Sequence, residues 1–84
     1  MGLPTQPVIL SVEQIEELNK KLSFARHDIN NQLSLMMAAI ELIKFKPEMA
    51  EKMVASLAEQ PPKITATVNQ FSNEFEKFFG ITRP

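Results

Sequence analysis

The chain has no cysteine, no tryptophan and no tyrosine, a single histidine, and only two glycines among its 84 residues. Without cysteine there is no disulfide, and one histidine cannot build a metal set, so both of the usual staples of a small domain are excluded. A core of this size supplies only a few kcal/mol of net stability. Association with a second chain is the remaining common route. Two glycines also leave little of the turn chemistry that a sheet needs, whereas the Met, Leu, Ala, Glu, Lys and Gln content favours helix. An all-α fold is therefore expected.

Charge of one sign is lacking as well. The net charge is -1, and the Lys and Arg residues are spread along the chain, which argues against a nucleic-acid surface or a polybasic membrane anchor. No apolar run reaches the roughly 18 residues needed to span a bilayer, and the start of the chain lacks the basic-then-apolar layout of a signal peptide. A cytoplasmic chain, or a cytoplasmic piece of a longer one, is expected, with no membrane contact from this segment.

What is present is helical punctuation. Residues 1–10 carry Pro4 and Pro7 and read as an extended arm. Ser11 and Gln14 have capping-box spacing, with Leu10 placed to staple onto Ile15. Glu16 with Lys20, and Glu17 with Lys21, are spaced four apart with the acid first. With Ile15 at position a of a heptad, Leu22, Ile29, Met36 and Ile43 follow at a, and Leu18, Ala25, Gln32 and Ala39 at d. Leu33 and Ile40 at e, with Leu35 and Leu42 at g, widen the stripe beyond a two-stranded seam. The helix should end near Phe45, because Lys46 precedes Pro47.

Pro47 suits the first position of a second helix. Ala50, Leu57, Ile64, Phe71 and Phe78 share one seven-residue spacing, and Val54, Pro61, Val68 and Phe75 the other. Pro61-Pro62 falls inside this pattern, and two internal prolines each cost about 3 kcal/mol or more, so a kink or local break is expected there. Gly80 after Phe79 fits a left-handed cap. The organisation predicted is an arm at 1–10, an antiparallel long-helix hairpin at 11–79 and a cap and tail at 80–84. Two helices cannot cover such wide apolar stripes, so two hairpins should pair as a homodimeric four-helix bundle. A turn near Lys46 makes the numbers of residues at one level add to about 92, which sets Thr65 beside His27 and the proline pair beside Asn30 and Asn31.

The only histidine stands in Arg26-His27-Asp28-Ile29-Asn30-Asn31-Gln32-Leu33, at heptad position f, on the side turned from the core. A packing histidine belongs at a, d, e or g; one that meets another protein has to stand outside. An imidazole, with its ordinary pKa of about 6.5, suits a neutral nucleophile at cytoplasmic pH. A neighbouring carboxylate can hold its Nδ1 proton and leave Nε2 free to attack. Phe24, one turn earlier, is an apolar exception on the outer half and a candidate for a docking surface.

This stretch resembles the H-box of the dimerisation and histidine-phosphotransfer domain of two-component histidine kinases, in which the phosphate-accepting His is followed by an acidic residue and, four positions on, by Asn or Thr. His27, Asp28 and Asn31 fill those places. The resemblance covers about residues 11–79 and implies that His27 accepts a phosphoryl group and passes it to a receiver aspartate of a response regulator. It implies that Asp28 orients the ring and that Asn31 serves dephosphorylation of the receiver. The family usually carries Pro five residues after the His, where this chain has Gln32. The single-chain histidine phosphotransfer domains, which carry a Lys and a Gly soon after the His, fit less well.

No ATP-binding boxes are present, so the chain is not expected to phosphorylate itself from ATP unaided. ATP and Mg2+ would be held by a partner, such as a kinase ATP-binding domain, or by a missing domain; no cofactor or metal is expected on this chain. It reads as a fragment of a sensor histidine kinase or as a standalone phosphotransferase. The competing expectation is a non-catalytic helical dimerisation or antikinase-like interaction module.

Overall fold

The computed structural model of the chain describes residues 2–82. Helix α1 spans Val12–Phe45 and helix α2 spans Ala50–Phe79, joined by one 3-10 turn at Pro47–Met49. Local chemistry accounts for each boundary. The Ser11 hydroxyl accepts the Gln14 N–H at 3.1 Å while Gln14 Oε1 accepts the Ser11 N–H at 2.8 Å, so the capping box closes and two otherwise free donors are satisfied. At the far end Lys46 leaves helical geometry (φ -136°, ψ 79°) while its N–H still donates to Leu42 O at 2.8 Å. Pro47 then opens the turn at a position where its missing N–H costs nothing. Gly80 closes α2 at φ 64°, and the N–H groups of Gly80 and Ile81 both donate to Glu76 O. That left-handed step is open to glycine at no steric cost.

The break expected at Pro61-Pro62 is not there. Helix α2 runs through both prolines, which excludes the broken alternative. The apolar register explains why: Leu57, Ile64 and Phe71, half-buried on both sides of the pair, pack on the same partner helix, and packing of an amphipathic face outweighs local propensity.

The register between the helices also differs from expectation. Lys21 Nζ meets Glu74 Oε2 at 3.5 Å, and these numbers add to 95, not 92. The level of His27 on α2 is therefore Val68 in place of Thr65, and the proline pair falls level with Leu33 and Ser34, not Asn30 and Asn31. The cause is the 3-10 turn, which moves the midpoint of the hairpin past Lys46 to between Pro47 and Glu48.

Ala25 and Ala39 are buried where α1 faces α2, small side chains that let the helices approach closely. One flank of the hairpin carries the Lys21–Glu74 pair. The opposite flank is apolar along its whole length: Ile15, Leu22, Leu33 and Ile40 on α1 and Val54, Val68 and Phe75 on α2 remain between 39% and 56% exposed. Among the described residues no large side chain is fully buried. The hairpin measures 58 × 29 × 12 Å, one helix layer thick. At the end away from the turn, Gly2 and Thr82 exchange two backbone hydrogen bonds of 2.8 and 2.9 Å as an isolated antiparallel bridge. No helix among the described residues is long and apolar enough to cross a membrane.

Candidate functional site

His27 lies near the middle of α1 and is exposed, as are Arg26, Asn30 and Asn31. At 3.6 residues per turn its position is about 160° from that of the buried Ala25 row, so the imidazole stands clear of α2. Asn31 follows one turn later on the same strip, within the reach typical of an i,i+4 pair. Arg26 is held back along its own helix by a 3.4 Å bond from Nη2 to Ser23 Oγ.

Asp28 faces the neighbouring helix and not the strip that carries His27. It is half-buried and lines a groove between the helices, because successive residues on a helix diverge by about 100°. Among the described residues no hydrogen bond or ion pair holds the side chains of His27, Asp28 or Asn31. The structure brings His27 and Asn31 together on one strip and turns Asp28 toward α2.

The groove holds about 360 Å³. It is lined by the apolar Phe24, Ala25 and Phe71 and by the polar Lys21, Asp28, Thr67 and Glu74. Phe24, one turn before His27, is 70% exposed. Lys21 is clamped between Glu17 at 4.0 Å and Glu74 at 3.5 Å, and Glu74 also receives Lys77 at 3.9 Å. The groove thus combines an apolar lining with a nearly balanced rim, and it lies on the flank away from the exposed apolar face. Below it, Phe71, Phe75 and Phe79 form a ladder with ring centroids 6.2 and 4.6 Å apart, and Phe78 comes beside Gln14 and Glu17. No family model matches the chain, and neither a curated protein nor a solved structure matches it.

The sequence did not single out Thr67, Phe71 and Glu74 as lining a groove with Phe24 and Asp28. Their signal was present: each sits on the face of α2 that meets α1 once residue numbers add to 95. Among the described residues no group of three ligating side chains is placed to hold a metal ion.

Proposed function

We propose that this chain is a cytoplasmic dimerisation and histidine-phosphotransfer module of two-component signalling, with His27 as phosphoacceptor and a receiver aspartate of a response regulator as its partner. The observation that supports it most is the placement of a lone histidine, exposed and unbonded, at mid-length of a long helix and clear of the neighbouring helix. A group that must enter another protein's active site needs that exposure.

The chemistry is in-line transfer. His27 Nε2 attacks the phosphorus of an acyl phosphate on a receiver, or of the terminal phosphate of ATP held by a kinase domain. The N–P bond forms as the P–O bond breaks, and the electron pair leaves with the carboxylate or with ADP. On delivery a receiver aspartate oxygen attacks the same phosphorus, and the N–P electron pair returns to the ring. The receiver's own site supplies the metal. Asn31, one turn along the strip, is placed to orient a water or meet a phosphoryl oxygen. Asp28, on the groove side, would reach the Nδ1 proton only after a rotamer change, as catalytic hydrogen bonds often tighten only in the complex.

The dimer is part of the proposal, and surface area supports it. A compact monomer of 9.5 kDa exposes about 5,000 Å², whereas this hairpin exposes 6562 Å². The radius of gyration is 18.2 Å, against about 12 Å for a compact chain of this length. A stable domain needs two packed layers, and a second copy on the apolar flank supplies the second one. That arrangement leaves His27 and the groove on the outside.

The second reading is a non-catalytic dimerisation or antikinase-like module, favoured by the absence of any bond between Asp28 and His27. Phosphoryl transfer separates the two. Purified protein treated with a small-molecule phosphoryl donor, and separately with phosphorylated receiver domains, should take up acid-labile, base-stable phosphate that chases onto a receiver. His27→Gln should take up none while remaining dimeric. Wild type that takes no label from any donor, with the dimer intact, would leave the non-catalytic reading standing.

A further inference from the structure

The middle of α2 has more hydrogen-bond acceptors than donors. In a helix the carbonyl of residue i receives the N–H of residue i+4, so Pro61 and Pro62 leave the Leu57 and Ala58 carbonyls without their helical donors. Gln60, immediately before the pair, is only 4% exposed, yet its Oε1 has no partner. Its Nε2 donates at 3.3 Å to Ser56 O, a carbonyl that the backbone N–H of Gln60 already serves in helical geometry. On α1, Gln32 Oε1 is likewise buried without a donor, and the register of 95 sets Gln32 level with Lys63. Two buried side-chain acceptors without donors and two backbone carbonyls without their helical donors therefore gather around one turn of the hairpin.

The buried oxygens of Gln32 and Gln60 carry a desolvation penalty, and water admitted by a local opening removes it. Opening should cost less at this turn than elsewhere in the interior of α2, because two helical hydrogen bonds are already missing there. We propose that α2 pivots at Gln60-Pro61-Pro62, as a hinge between a half packed at the turn and a half that carries Thr67, Phe71 and Glu74. That second half is the wall of the groove facing Phe24 and Asp28. Motion at the hinge widens or narrows the groove beside His27, while the 3-10 turn and the first half of α2 stay in place. The prolines are exposed and the glutamine is buried, so the bend can follow either of two packings of the Gln60 amide, toward Ser56 or toward water.

Amide hydrogen exchange on the intact chain, read residue by residue, tests this. Amides of residues 57–60 and 63–65 are expected to exchange at least about tenfold faster than those of 68–75, the signature of a sub-global opening. Pro61→Ala/Pro62→Ala restores two donors and should slow the first group by at least about tenfold. Gln60→Leu, which removes one orphan oxygen and leaves the backbone unchanged, should slow it in the same direction. Equal protection of the two groups in the wild type would overturn the hinge, and so would exchange unchanged in both variants. No phosphoryl donor enters the experiment, so its outcome is separate from that of the reading of His27.

Discussion

At the scale of single residues, the positions that begin and end helices were the most legible. Ser11 with Gln14, Lys46 before Pro47, and Gly80 act through bonds within a few residues of themselves, so their outcome depends on nothing distant. Ser11→Ala should lower stability by about 1 kcal/mol, read as a shift of the urea midpoint with unchanged slope at fixed protein concentration. The exposure of His27 was legible for the same reason, since heptad position alone turns it outward. Asp28 was not. Adjacency in sequence suggested a bond to the imidazole, whereas helical geometry sends residues 27 and 28 to different faces. The Glu17–Lys21 pair expected from spacing does close, at 4.0 Å.

At the scale of elements, the two helices were legible and their alignment was not. A register depends on the length and geometry of the connection, and nothing in Lys46-Pro47-Glu48-Met49 distinguishes a sharp corner from a full 3-10 turn before the fold forms. The three-residue difference carried the groove with it: Lys21 and Glu74, or Asp28 and Thr67, look unrelated until the numbers add to 95. At the proline pair the continuous apolar register was legible, and the shared packing surface that Leu57, Ile64 and Phe71 give both sides holds the helix together where a break was one of the two outcomes expected. The Lys21–Glu74 contact joins side chains that are 35% and 30% exposed, and partly exposed ion pairs contribute less than about 1 kcal/mol. A double-mutant cycle with Lys21→Ala and Glu74→Ala should therefore return a coupling below about 1 kcal/mol, falling further in high salt.

At the scale of the whole molecule, the hairpin is one helix layer with an exposed apolar flank, and a stable domain needs a second layer against such a face. The sequence made that shortage visible through stripes wider than a two-stranded seam, and the hairpin puts its residues on one side. If a second copy covers this flank, Leu33→Glu with Ile40→Glu places four charges in the shared core and should convert dimer to monomer, or to unfolded chain, in sedimentation equilibrium. Charge at Phe24 and Met37, exposed on the outer half, should leave the dimer unchanged. An unaltered mass for the Leu33/Ile40 variant would argue that the flank is not where two copies meet.

The bridge between Gly2 and Thr82 gives the hairpin a property that its linear order conceals. Two helices joined by a tight turn at one pole and by a pair of backbone hydrogen bonds at the other form a closed circuit. Backbone segments held this close are a setting in which circular permutation is tolerated. A short link from Gly2 to Thr82, with new ends opened at Glu48, would keep both helices, the groove and His27 while reversing the order in which α1 and α2 are synthesised. The order in which the helices emerge is thus expected to be exchangeable, and a permuted chain should keep its helix content by circular dichroism.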